Sequence, residues 1–314
     1  KNNFDKKLRV WMQGGLHGNE PASTESLLYL IHLILEDPNY NYLLDKIELA
    51  ISPMANIDGS LKNDRYAANG LDLNRDHTKM MARETKASIK AFNDFNPHVA
   101  LDFHEYRPFR KDFAQLGSFG ISNPYDVMFL YTGNLNVPEN IRTIIDTLFV
   151  KNAKTPLDKL NLRHRHYIKS EKYKGKIHFS TGTNTARSSS NFYALNNTIA
   201  TLFEIRGVGI GKTSFKRRIR SSLTVGFSFL KTAYENSKFI FDQIEIANNY
   251  SNDIVLEHKR SIYTDVIKAI DIESNEIIDY ETTMHSSKDS YAIFKRDRPL
   301  AYIIKQNNFG FIEN

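Results

Sequence analysis

No cysteine occurs anywhere in the 314 residues. That absence excludes a disulfide framework and any thiolate site, so a bound metal would have to be held by histidine and carboxylate, and the redox compartment stays open. Long apolar runs are also missing. The best candidate, Leu27 to Leu35, is interrupted by His32 and closed by Glu36, far short of the roughly 20 residues a membrane span requires. Charge of one sign is not concentrated either: 42 Lys and Arg stand against 36 Asp and Glu, a net +6 that gives only a mild preference for acidic partners. The one dense basic run, Lys216, Arg217, Arg218 and Arg220, has no aromatic interleaved and reads as a solvated helix start rather than a nucleic-acid surface. The chain begins at Lys1 and soon enters strand-like Leu8 to Met12, which reads as a processed N-terminus and favours a periplasmic or secreted location.

What is present is material for one large core, 41% hydrophobic residues, arranged as strands alternating with helices. Strand-like runs at Leu8 to Gln13, Ile47 to Ser52 and Val99 to Phe103 alternate with helical patterns at Glu20 to Glu36 and Lys79 to Phe95. That alternation predicts an α/β sheet flanked by helices. Leu27, Leu28, Ile31 and Leu35 form the stripe of the first helix, and Pro21 suits its first turn. A helix over about Pro138 to Lys151 comes next, then a polar, loop-rich stretch from Asn152 to Asn191 that reads as site wall, then a buried strand at Ile199 to Ile205. Helical periodicity returns over Thr213 to Asn249. Beyond Glu257 the pattern becomes short strands, Ser261 to Ile270, Glu276 to Thr282, Tyr291 to Phe294 and Ala301 to Ile304. The expected division is therefore residues 1 to 257 and a small β-rich C-terminal appendage, residues 258 to 314.

Four segments carry chemistry. In Gln13-Gly14-Gly15-Leu16-His17-Gly18-Asn19-Glu20, a His and a Glu converge where a strand gives way to a helix, although a helix-start Glu also serves as a dipole partner. In Leu101-Asp102-Phe103-His104-Glu105, a strand ends in a polar cluster; the His there is either a ligand or one satisfied by a loop. Two His and one Glu would make a catalytic zinc set with an open fourth position. Arg65 and Arg75 bracket the turn-rich loop Asn69-Gly70-Leu71-Asp72-Leu73-Asn74-Arg75-Asp76, suited to an anionic substrate terminus or to loop-ordering ion pairs. Glu204 interrupts an apolar strand, a costly placement unless the carboxylate is paired, with Arg206 or Arg187 for example, or functional as a base.

In this order the segments resemble the zinc carboxypeptidase family of carboxypeptidase A type: His-Gly-Asn-Glu, Asn-x-Asp-Gly at residues 56 to 59, Asp-x-Asn-Arg at 72 to 75, a distant His and a late strand Glu. The resemblance covers about residues 8 to 210. It implies a mixed, mostly parallel eight-stranded sheet flanked by helices on both faces, with one zinc per chain at the sheet's carboxyl edge. Carried over by position, it makes His17, Glu20 and His104 the zinc ligands and Glu204 the general base and acid. Arg65 would polarise the scissile carbonyl, Asn74 and Arg75 would grip the terminal carboxylate, and Asp72 and Asp102 would orient the zinc histidines. The short span from Glu20 to His104 suggests a compact bacterial-type member. Tyr193 is the nearest candidate for the family's mobile-loop tyrosine, with Arg187 as a further substrate contact.

The resemblance implies hydrolysis of the C-terminal peptide bond of a peptide. The same motifs also resemble enzymes that deacylate small N-acyl amino acids, of the aspartoacylase and succinylglutamate desuccinylase branch. A peptide-binding module without turnover is a third reading. The expected partner is a peptide or small acylated amino acid with a free carboxylate, with no nucleic acid and no membrane span. Side-chain preference and oligomeric state stay open.

Overall fold

The computed structural model describes residues 7–251, 253–299, 301 and 303. Its strands are β1 (Leu8–Gly14), β2 (Ile47–Ser52), β3 (Val99–Tyr106), β4 (Ile121–Ser122), β5 (Val127–Tyr131), β6 (His164–His166), β7 (Ile168–Tyr173), β8 (Lys176–Thr181), β9 (Ile199–Arg206), β10 (Ile254–Asp271) and β11 (Ile277–Arg296). Its α-helices are α1 (Pro21–Glu36), α2 (Pro38–Asn41), α3 (Ile57–Lys62), α4 (Arg83–Phe95), α5 (Glu139–Ile144), α6 (Lys151–Lys159), α7 (Ser189–Leu195), α8 (Phe215–Glu235) and α9 (Ser237–Asn248).

The main sheet runs β2-β1-β3-β9-β5-β6, parallel throughout except where β5 meets β9. The α/β class, the mixed sheet and its mostly parallel order are as expected, but among the described residues this sheet has six strands rather than eight. β1, β3 and β9 are buried on both faces, as near-continuous apolar runs in a parallel sheet must be. On one face Phe103 and Phe203 meet α8, Phe103 lying beside Gly226 and Phe203 edge-on to Phe229. On the other, Trp11 packs edge-on to Phe92 of α4, whose ring stacks on Tyr193 of α7 at 4.2 Å. Helices thus cover both faces.

Several boundaries differ from the sequence pattern. The helix expected to end near Lys151 continues through a π-helical turn, Ile145–Val150, into α6. The stretch from Asn152 to Asn191 is not mostly loop: it contains α6, β6, the β7–β8 hairpin and the start of α7. That hairpin turns at Lys174 and Gly175, φ 48° and 79°, the pair of left-handed residues a tight two-residue turn requires. The helical stretch expected over Thr213 to Asn249 is two helices, α8 and α9, divided at Asn236.

A second sheet, β4-β10-β11-β8-β7, joins the C-terminal strands to the middle of the chain. β10 pairs with β4 through Ile270 and Asp271, and β11 runs parallel to β8 through Met284, His285 and Ser286. The three strands expected between Ser261 and Phe294 lie within β10 and β11, and the expected boundary after residue 257 falls inside β10. The strand expected at Ala301 to Ile304 lies partly outside the described residues. Among the described residues no helix is long and apolar enough to cross a membrane.

One packing detail predicts acid sensitivity. His98, just before β3, accepts the Arg9 backbone N–H through Nδ1 at 3.0 Å. Burial, then the Arg9 charge, hold its pKa down to about 4 from 6.5. The unfolded chain therefore binds a proton that the folded one refuses, so stability present above pH 6.5 is lost as pH falls toward 4. A loss of roughly 1–3 kcal/mol across that window is expected, and His98→Gln should flatten it in a series of denaturant melts. An unchanged slope would remove His98 as the cause.

Candidate metal centre and active-site cleft

The site lies at the carboxyl ends of β1, β3 and β9, where parallel sheets place their ligands. β1 ends at Gly14, and the turn to α1 needs two special residues. Gly15 has φ +62°, and a Cβ on Gly18 would lie 1.9 Å from the Gly59 backbone carbon. The close approach of that turn to α3 sets His17 and Glu20 in place. Glu20 caps α1 ahead of Pro21 but gives its side chain no capping role, leaving the carboxylate for the site.

The three expected ligands converge. His17 Nδ1 is 2.7 Å from Glu20 Oε1, His104 Nδ1 is 2.8 Å from Glu20 Oε2, and the two Nδ1 atoms are 3.1 Å apart. All three residues are buried. Each imidazole is held from behind: His17 Nε2 donates to Asp72 Oδ1 and His104 Nε2 to Asp102 Oδ2, both at 3.1 Å. Asp102 reaches His104 because both occupy alternate positions of β3 and share a face. With the ring protons on Nε2, the Nδ1 lone pairs face one another around a carboxylate, a donor set suited to a cation between them. The electrostatics agree. Burial alone would lower the His104 pKa, yet Asp102 and Glu20 hold it well above its ordinary value. Glu20, against its burial, is held far below the carboxylate range by His17 and His104.

Glu204 stands directly opposite His104 in the parallel register of β3 and β9. Desolvation of its carboxyl, then the charge of Glu20, raise its pKa to about 7. Arg65 forks onto Asp72 Oδ2 at 3.0 and 2.9 Å and reaches within 3.7 Å of Glu20 Oε1. Asn74 accepts the Ser189 backbone N–H at 2.9 Å through Oδ1, and Arg75 donates to the Asn74 carbonyl at 2.7 Å. Ser189 Oγ also donates to Asp102 Oδ2. His17, Glu20, Arg65, Asn74, Arg75, Arg187 and Glu204 line one cleft of about 1150 Å³.

Tyr193 is the exception. It is buried in the main core, its hydroxyl donating to Gln13 Oε1 at 3.1 Å and its ring stacked on Phe92, so it does not reach the cleft. The basic run also differs from the expected solvated helix start. It opens α8, but Arg218 is buried and donates to Glu105 Oε1 at 2.5 Å, while Arg217 holds Asp126 at 2.7 Å.

A profile of the zinc carboxypeptidases matches residues 2–209. The chain belongs to the zinc carboxypeptidase family. Among its relatives are a probable carboxypeptidase 2 of Arthroderma benhamiae, 33% identical over 97% of this chain and 58% of that protein, and carboxypeptidase 2 of Trichophyton rubrum, 32% identical over 97% and 57%. The chain thus spans less than two thirds of the length of these relatives. The fold resembles a metallo-carboxypeptidase from Burkholderia cenocepacia, with a TM-score of 0.56 and 16% identity over 76% of this chain and 60% of that one. It also resembles carboxypeptidase A from Helicoverpa armigera, TM-score 0.52, 18% identity, over 74% and 63%.

Zinc is the metal of this family, and His17, Glu20 and His104 form the only cluster of histidine and carboxylate among the described residues able to hold a metal ion. Sequence reasoning missed other parts of this zinc carboxypeptidase cleft. Tyr167, Lys169, Arg107 and Arg110 line it. Glu105 steadies it from behind, its N–H donating to Glu20 Oε2 at 3.0 Å and its Oε2 accepting from the Ala22 N–H. The hairpin turn at Lys174 and Gly175 was a readable signal for the strand that carries Lys169.

Proposed function

We propose that the chain is a metallocarboxypeptidase domain that hydrolyses the C-terminal peptide bond of peptides, with Glu204 as general base and acid. The observation that carries this reading is the register that puts Glu204 beside His104, in one cleft with Asn74 and Arg75. Arg75 is an exposed guanidinium suited to two-point recognition of a terminal carboxylate, and Asn74, steadied by Ser189, leaves its Nδ2 without a hydrogen bond among the described residues. Zinc, when bound, supplies Lewis acidity to the attacking water and the scissile carbonyl. Glu204 takes a proton from that water as its oxygen bonds to the carbonyl carbon. The carboxyl then passes the proton to the amine nitrogen as the C–N bond breaks. Arg65, oriented by Asp72, faces the negative charge that develops on the carbonyl oxygen. Asp72 and Asp102 fix the two imidazoles throughout.

The size of the cleft supports a peptide over a small N-acyl amino acid, since about 1150 Å³ exceeds the usual volume of a small-molecule pocket. Comparing kcat/KM for short peptides with that for N-acetyl amino acids, using zinc-loaded protein, tests this. Release of single C-terminal residues at least about tenfold faster is expected. Preferential deacylation would replace the peptidase reading, and stoichiometric zinc without any hydrolysis would leave a binding module.

A further inference from the structure

The cleft is lined by more cations than carboxylates, and its own carboxylates offset only part of that charge. Arg75, Arg107, Arg110, Lys111, Lys169 and Arg187 line it. The lining carboxylates are already engaged: Glu105 by Arg218, Asp112 by Ser170 and Arg110, Glu171 by Arg260 at 2.9 Å, and Glu20 and Glu204 by the centre itself. The side chain of Lys169 makes no hydrogen bond or ion pair among the described residues. It lies in β7, whose residues Ile168 to Lys172 line the cleft; Ile168 and Ser170 are buried on one side of the strand, and strand alternation puts Lys169 on the other, where its side chain is exposed. Tyr167, Arg65, Arg75, Arg110 and Glu204 line the same cleft as Lys169. Lys169 is exposed, yet partial desolvation by the surrounding cleft, then the charge of Arg75, lower its pKa, with Arg260 and Arg110 adding to the effect and Glu171 opposing it. An ammonium set among cations without a partner gains most from an incoming carboxylate.

We propose that Lys169, an unpaired cation exposed on β7 in the same cleft as the Arg75 clamp, reads an acidic side chain on the terminal residue of the substrate. The preferred substrates are peptides ending in glutamate or aspartate. The inference rests on the carboxypeptidase reading above and adds to it a substrate class and the residue that selects it.

The test uses zinc-loaded protein and peptides identical except for a final Glu, Asp, Gln, Leu or Lys. Gln is the decisive control, since it keeps the shape of Glu without its charge. For the natural chain, kcat/KM for the Glu peptide should exceed that for the Gln peptide about tenfold or more. Lys169→Met should bring the two within about threefold, and Lys169→Glu should turn the preference toward the Lys peptide. A Glu-to-Gln ratio near one in the natural chain, or the same ratio in Lys169→Met, overturns the inference while leaving the carboxypeptidase reading standing. If none of the peptides is cut, the carboxypeptidase reading fails instead. Calorimetric titration of the Glu204→Gln protein with the same peptides then decides the inference: Lys169-dependent preference for the Glu peptide upholds it, and equal affinities overturn it.

Discussion

Glu204→Gln is expected to lower kcat/KM by about 10³ to 10⁴-fold while the protein still binds one zinc. Gln keeps the size of Glu and can still hydrogen-bond, but it cannot take a proton from water and pass it to the leaving amine. Zinc content should persist because the three ligands come from β3 and the turn before α1, not from β9. The pH profile carries a second mark of the same group. The base must be unprotonated, so kcat/KM should rise with pH on its acid limb. Without a metal the Glu204 pKa stands at about 7; the positive charge of zinc opposes that rise, so the limb should lie below pH 7. A Glu204→Gln protein that turned over at the full rate with zinc bound would remove Glu204 from the mechanism.

Arg218→Leu should cost about 3–5 kcal/mol of stability, far more than an ordinary basic residue at a helix start. Its guanidinium and the Glu105 carboxylate are both buried, and burial already pushes the Glu105 pKa up against the pull of Arg218. Removing the cation leaves a buried carboxylate that must be protonated or drag water inward. Arg218 also donates to the Gly211 carbonyl at 2.7 Å, tying the loop after β9 to α8. Urea melts read the loss, and the double variant Glu105→Gln, Arg218→Leu should recover part of it because no orphan charge remains. A loss below about 1 kcal/mol for Arg218→Leu would show that the pair is not a structural support.

That His17, Glu20, His104 and Glu204 come together was legible in the sequence because each sits at a signal that survives without tertiary information. Glycines mark a turn at a strand end, and a single polar residue interrupts an apolar strand. Their partners Asp72 and Asp102 were legible for the same reason, one in a turn-rich loop and one a strand alternation away from His104. The cleft wall was not. In β7 the more exposed side carries Lys169 and Glu171 while the buried side carries Ile168 and Ser170, so the alternation of polar and apolar residues that marks a strand is weak. Arg218 looked solvated because it stands in a basic run, and nothing local points to Glu105, which lies far away in sequence. Tyr193 was misplaced because its role is set by Phe92 and Gln13, contributed by two other elements.

The second sheet also sets an order of assembly. The centre itself draws on β1, β3 and β9, all made before α8, and these could pair as the chain is synthesised. The wall that carries Lys169 cannot be completed then, because β8 takes its second neighbour from β11, near the end of the described chain. Such distant pairing is slow, since a long loop must close before any contact rewards it. The cluster of His17, Glu20 and His104 can therefore form early, while the cleft wall that carries Lys169 stays unfinished until β11 is in place.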